Sequence, residues 1–247
     1  MYNHLRPRET NTLKRKQRVD ESGRAFAGSQ RQIQTYVNEL PEVLNSAVTQ
    51  SFGANFPENC DVRWVSPLAA EGYMEYRDAD FLHALGLPQH TESLSRFWPN
   101  RGPCWDALAR IDDDQGNPIG CILVEAKSHV PEFYSNDTRA GANSIQLIKK
   151  SLGSAKNWFD VEEAIVWTGF PNPDKCLYQY TNRLAHLYFF REILGLPAFL
   201  VNVHFVGDPH SPTELNVWQT AISVIHKELG IHRLPNFFAN VFLPARP

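Results

Sequence analysis

Two apolar runs separated by a polar segment dominate the middle of the chain. Residues 105–111 and 119–126 are largely apolar, and the segment DDDQGNP between them consists of residues that favour turns. The pattern predicts a β-hairpin whose turn centres near Gln115 and Gly116. The second run is apolar at consecutive positions, which is typical of a strand that is buried on both faces.

Further periodic segments surround this hairpin. Apolar positions at helical spacing, with their start and stop residues, predict helices from Ser29 as N-cap, from about Asp78, from about Ser144, over 177–194, and from a capping box at Ser211 and Glu214. Strands are predicted at 62–65 and 198–206 and over the sequence NFFANVFL, while 163–167 fits either a strand or a buried link. The fold class is therefore α/β in the broad sense, mixed α+β, with a central mixed sheet flanked by helices.

Charged residues cluster at the open end of the predicted hairpin. Positions equidistant from the centre of the turn lie opposite each other, which pairs Asp106 with Glu125. Side chains alternate along a strand, so Lys127 shares the face of Glu125. The simplest interpretation is a structural ion-pair cluster. Two neighbouring carboxylates repel each other, however, and one lysine compensates only in part, so a divalent cation would relieve the repulsion better.

Composition and charge narrow the class of protein. The chain has 247 residues, a net charge of -3 and no apolar run long enough to span a bilayer, so we expect a protein that does not enter a membrane. Its four cysteines show no CxxC spacing, which gives no support for a zinc ribbon and predicts reduced thiols in the cytoplasm.

The N-terminal segment is basic although the whole chain is slightly acidic. Up to Arg24 it contains seven basic residues against three acidic ones. This predicts a flexible basic arm over residues 1–28, followed by a single domain over 29–247 that begins with a helical part. Such an arm can hold a phosphate backbone, and it would offset the unfavourable overall charge for a protein that binds nucleic acid.

An aspartate on one strand followed by Glu-x-Lys at the end of the next resembles the PD-(D/E)XK nuclease superfamily. Asp106 matches the family's aspartate, and Glu125, Ala126 and Lys127 match its (D/E)xK. Trp105 stands where the family usually has proline. The resemblance implies a restriction-endonuclease-like core, and the predicted order of strand, strand, helix, strand agrees with that core, with one extra helix inserted.

The resemblance also implies a metal-dependent nuclease and a role for each matched residue. Asp106, Glu125 and the backbone carbonyl of Ala126 would hold one or two Mg²⁺ ions, or Mn²⁺. Lys127 would orient or help to deprotonate the attacking water and stabilise the transition state, with its pKa lowered by burial and by the metal.

Other residues are assigned by their position relative to the hairpin. Members of the family often take a further acidic ligand from upstream of the aspartate, and Glu75 fits this place better than Glu71. The helix after the lysine strand often contributes a glutamine, which places Gln179 in the site. Arg183 and Lys156 are candidate contacts to nucleic-acid phosphates.

The substrate implied is nucleic acid, with DNA favoured over RNA, and a homodimer would suit cleavage of both strands. Two alternatives stay open. One is a catalytically silent module on the same fold that binds nucleic acid or protein. The other is a structural domain with a buried ion-pair network, which would bind neither Mg²⁺ nor DNA.

Overall fold

A central five-stranded sheet organises the chain in the computed structural model, which describes residues 18–247. The helices and strands follow in the order α1 (Gly28–Glu39), α2 (Pro41–Phe52), β1 (Asp61–Ser66), α3 (Asp78–Ala84), α4 (Thr91–Phe97), β2 (Ala107–Asp112), β3 (Pro118–Lys127), α5 (Ala142–Trp158), α6 (Tyr178–Tyr188), β4 (Ala198–Val206), α7 (Leu215–Glu228) and β5 (Phe238–Pro244). The strands are adjacent in the order of the sequence. β1, β2 and β3 pair antiparallel, whereas β3, β4 and β5 pair parallel. The sheet is therefore mixed, as predicted.

The predicted hairpin and its pairing are confirmed. Ala107 lies opposite Val124, and the same register continues to Ile111 opposite Gly120, so the next pair at the open end is Asp106 with Glu125. Gly116 closes the turn with a φ of 80°, a conformation that favours glycine. Trp105 lies outside the strand, which begins at Ala107.

Alternating side chains divide the core into two layers. Leu108, Leu123 and Leu200 face the side that α3 to α7 cover, whereas Ile122 and Val201 face the side that α1 and α2 cover. Asp106, Glu125 and Lys127 have the same parity along their strands as Leu108 and Leu123. Their side chains therefore lie on the face covered by α6.

Several predicted boundaries differ from the structure, each for a local reason. Ser29 is not the N-cap of α1, because its hydroxyl bonds Glu132 Oε1 at 3.3 Å. Helix α7 begins at Leu215 instead of the predicted capping box, because Gly207 N–H donates to the carbonyl of Thr213 and closes 207–213 into a loop. Residues 163–167, predicted as a strand or a buried link, form a turn that is largely exposed apart from Trp167.

The helix predicted over 177–194 changes character near its end. Helix α6 ends at Tyr188, and a single π-helical turn, Phe189–Ile193, completes the predicted segment.

The N-terminal segment is only partly described. Five of its seven basic residues, namely Arg6, Arg8, Lys14, Arg15 and Lys16, lie outside the described residues. Residues 18–27 pack on the domain: Ala25 is buried, and its N–H donates to the side chain of Gln34 at 2.8 Å. Within residues 18–247, no helix has both the length and the apolarity that a membrane crossing requires.

Candidate active site

The carboxylate of Glu125 is the centre of a buried polar cluster at the end of β3. Its Oε2 accepts a hydrogen bond from Arg183 Nε at 2.6 Å, and its Oε1 accepts one from Gln179 Nε2 at 2.8 Å. Lys127, two residues along the same strand, completes the set with an ion pair to Oε1. Both oxygens of Glu125 are therefore engaged by donors, two of which carry positive charge.

Helix α6 positions two of these donors. Gln179 and Arg183 are four residues apart, so they lie on one face of the helix. The guanidinium of Arg183 also donates to the carbonyl of Cys104 at 2.7 Å and lies 4.8 Å from the ring centroid of Trp105. Arg183 is thus buried and held by these contacts within the protein, whereas a phosphate contact was predicted for it.

Asp106 and Glu75 complete the acidic part of the cluster. Asp106 accepts a hydrogen bond from the backbone N–H of Ala126 at 2.7 Å. Glu75 accepts one from Gln30 of α1 at 3.0 Å, and the thiol of Cys104 lies 3.8 Å from its other oxygen. Neither carboxylate forms an ion pair in the described part of the chain.

The pKa values of the three carboxyl groups in the cluster are shifted in different directions. Burial raises the pKa of Asp106 well above its ordinary value, and repulsion by Glu125 and Glu75 raises it further. Burial also raises the pKa of Glu75. For Glu125 the attraction of Arg183 and Lys127 outweighs burial, so its pKa is lowered. Three carboxyl groups face two cations, and ionisation of Asp106 and Glu75 is not compensated by an ion pair.

The pKa of Lys127 is shifted in the direction opposite to the one predicted from burial and a bound metal. Burial does lower it, but the two carboxylates Glu125 and Asp106 outweigh burial, and the pKa of the ammonium is raised. Lys127 is therefore protonated at neutral pH.

The structure brings most of the predicted residues together, although not all of them. Asp106, Glu125, Ala126, Lys127, Gln179, Arg183 and Glu75 all belong to the cluster. Glu71 instead accepts the hydroxyl of Tyr76 and is exposed. Lys156 donates to the carbonyls of Glu163 and Ile165, so two of the three N–H groups of its ammonium hold the turn after α5.

Three contributors to the cluster were not identified in the sequence. They are Gln30, the carbonyl of Cys104, and Asn202, which is buried on β4 directly opposite Glu125. Of these three, only Asn202 could have been identified from the sequence. In the apolar run AFLVNVHFV, Asn202 and His204 are two residues apart and must share one face of the strand. His204 bonds Asn240 at 2.9 Å, and burial lowers its pKa to about 4, so it stays neutral beside Lys127.

The donor set determines whether a metal ion would fit. Among residues 18–247, no three His, Cys, Asp or Glu side chains already stand together as a ready set of ligands. The chemistry of the cluster nevertheless suits a hard divalent cation, because Asp106 and Glu75 are carboxylates without a cationic partner. The carbonyl of Ala126 points to the same side as its N–H, toward Asp106, because both groups of one residue face the same neighbouring strand.

Comparisons of the chain with protein-family models, curated proteins and solved structures give no match. The chemistry of the site therefore rests on its own geometry.

Proposed function

We propose that the protein is a metal-dependent nuclease of the PD-(D/E)XK type that hydrolyses phosphodiester bonds of DNA. The observation that carries the proposal is the excess of carboxylate at the end of β3, where Glu125 is neutralised by Lys127 and Arg183 while Asp106 and Glu75 are not. A purely structural cluster would be expected to balance its buried charges.

The arrangement of the sheet supports a restriction-endonuclease-like core. The hairpin of β2 and β3 leads through α5 and α6 to β4, which pairs parallel to β3. This is the strand, strand, helix, strand order that the resemblance implies, with one extra helix. The candidate catalytic residues lie at the end of this hairpin and face α6.

Asp106, Glu75 and the carbonyl of Ala126 would hold Mg²⁺, with Glu125 joining them once its contacts rearrange. When bound, the ion would lower the pKa of a coordinated water and neutralise charge on the scissile phosphate. Carboxyl groups without an ion pair would give the site affinity for such a cation.

The protein's own residues have distinct roles in this proposal. Lys127 is protonated in this cluster, so it can donate hydrogen bonds. It therefore orients the water and stabilises negative charge that develops on the phosphate. Gln179 and Arg183 fix the position of Glu125, which in turn holds the ammonium of Lys127.

The test is incubation of the pure protein with labelled single-stranded and double-stranded DNA and RNA, in Mg²⁺, Mn²⁺ or EDTA. We expect cleavage that requires a divalent ion and prefers DNA. Lys127→Ala should reduce the rate by roughly 10²- to 10⁴-fold, the usual contribution of one positioned catalytic group. Cleavage by Lys127→Ala at the wild-type rate would remove Lys127 from the mechanism.

A catalytically silent binding module is the second candidate, and one observation favours it. Both oxygens of Glu125 are engaged by protein donors, which also suits a permanent structural network. DNA binding without cleavage under any metal condition would support this function in place of the nuclease.

A further inference from the structure

A second charged feature lies at the same end of the sheet as the candidate active site. A cleft of about 660 Å³ lies between the first turn of α1 and the residues that follow β4 and β5. Three arginines line it, Arg24, Arg31 and Arg246, together with His210. We call this feature the arginine cleft.

The acidic residues of the arginine cleft are already engaged. Asp208 is buried, and its two oxygens accept hydrogen bonds from the hydroxyl of Ser128 at 2.7 Å and from the N–H of His210 at 2.8 Å. Asp20 accepts hydrogen bonds from the backbone of Ser22 and Arg24. Neither aspartate forms an ion pair with an arginine of the cleft.

The arginines, in contrast, have capacity that the described part of the chain does not use. Arg24 pairs with Glu39, whereas Arg31 and Arg246 form no ion pair within residues 18–247. The Nε atoms of Arg24 and Arg246 are buried without an acceptor in that same range, and a buried donor left without an acceptor is unfavourable. An anion in the cleft could supply the opposite charge that Arg31 and Arg246 lack in that range.

The backbone around the arginine cleft is firmly held. The side chain of Gln32 donates to the carbonyl of Arg246 at 2.8 Å and accepts from its N–H at 2.7 Å. The guanidinium of Arg246 also lies 5.6 Å from the ring centroid of Tyr36. A preorganised cation of this kind loses little side-chain entropy when a ligand binds.

Two short connections join the arginine cleft to the active site. Ser128 directly follows Lys127 in the chain and bonds Asp208 of the cleft. Gln30 bonds Glu75 of the site, and the next residue along α1, Arg31, lines the cleft. A single extended polyanion could therefore contact both places at once.

Resting on the proposed nuclease function, we propose that the arginine cleft binds the phosphodiester backbone of the DNA substrate beyond the bond that is cleaved. Arginine suits this task because its planar guanidinium matches the geometry of phosphate oxygens. Contacts to phosphate carry little sequence information, so the cleft would position DNA of any sequence.

The experiment measures binding of a fluorescein-labelled DNA duplex by anisotropy in EDTA, over a series of salt concentrations. Arg31→Gln and Arg246→Gln should each lower affinity about 3- to 10-fold and reduce the slope of log K against log salt by about 1. The matched control is Arg96→Gln. Arg96 lies on α4, outside the cleft, is largely exposed and pairs only with Glu92, so its loss should leave affinity and slope unchanged.

The outcomes separate the arginine cleft from the nuclease. If the slope of log K against log salt is the same for Arg31→Gln, Arg246→Gln and Arg96→Gln, the proposed role of the arginine cleft is wrong, even if the wild-type protein cleaves DNA. If the slopes are reduced but the protein never cleaves DNA, the proposed role of the arginine cleft is retained and the proposed nuclease activity is rejected. Urea unfolding of each variant checks the fold, and competition by polyglutamate as effective as that by DNA would overturn a specific preference for phosphate.

Discussion

The two ends of the hairpin each hold buried charge, but they balance it differently. At the turn end, Arg110 pairs with Asp112 at 2.9 Å and donates to the carbonyl of Gly116 at 3.1 Å. The one buried carboxylate there is paired with one cation. At the open end, Lys127 and Arg183 face three carboxylates. The strands and their pairing are shared, so the two ends differ in their charge balance and in the deeper burial of the cations at the open end.

This difference distinguishes a structural ion pair from a candidate binding site. A balanced pair has no charge left for a ligand, and its contribution is to stability. The open end retains carboxylates whose ionisation is unfavourable in the folded protein, and evolution tolerates such a cost where a ligand or a reaction uses it. Substituting equivalent residues at the two ends therefore tests the distinction directly.

The largest effect is expected from removing the cation that the helix contributes. Arg183→Leu leaves Glu125 buried with Lys127 as its only cationic partner, and it also removes the hydrogen bond to the carbonyl of Cys104. We expect a loss of about 3–5 kcal/mol in the free energy of unfolding, measured in urea, because breaking a buried pair strands a charge. The matched change at the turn end, Arg110→Leu, should cost about 1–2 kcal/mol, since Arg110 is more exposed. Equal losses would contradict the difference between the two ends.

The two ends of the hairpin also show which contacts can be predicted from the sequence and which cannot. Period-two alternation and a turn rich in Asp, Gly and Asn were enough to place Asp106 opposite Glu125, because register in a hairpin follows from counting residues. The strand at 198–206 was equally clear from its continuous apolar run. The ion pair between Arg183 and Glu125 was not predicted, because 58 residues and a helix separate them and a pattern along the chain does not encode such a contact.

Lys156 shows another contact that the sequence pattern did not predict. A lysine on an amphipathic helix was predicted to contact phosphate, but the chain turns back after α5 and brings two carbonyls within reach of the ammonium. Local periodicity indicates which face of a helix is polar. It does not indicate what a neighbouring loop places on that face.

A second prediction compares the same substitution at two aspartates and concerns pH. Ionisation of Asp106 is unfavourable in the folded protein, because burial and the neighbouring carboxylates raise its pKa. Asp106→Asn should therefore stabilise the protein at pH 7, by about 1–2 kcal/mol, while Asp112→Asn, which weakens the pair with Arg110, should destabilise it by about 1 kcal/mol.

The pH dependence follows from the direction of the shift. The folded protein keeps the proton on Asp106 to a higher pH than the unfolded chain, so wild-type stability falls as pH rises above about 4 through the raised pKa. The advantage of Asp106→Asn should thus be absent below about pH 4 and should grow as pH rises toward the raised pKa of Asp106. Urea unfolding across this range measures it, and an advantage that does not change with pH would contradict the assigned cause.

The smallest effect is expected from the divalent ion itself, and it tests the site without reference to cleavage. Mg²⁺ at a few times its dissociation constant should stabilise the wild-type protein by about 1 kcal/mol, a rise in Tm of roughly 2–4 °C. Asp106→Asn should lose this response, because it removes a carboxylate without a cationic partner. Asp112→Asn should keep it, since Asp112 belongs to the balanced pair at the other end of the hairpin. A Mg²⁺ response that is identical in the two variants would place any bound ion elsewhere, and the open end would then be a structural cluster like the turn end.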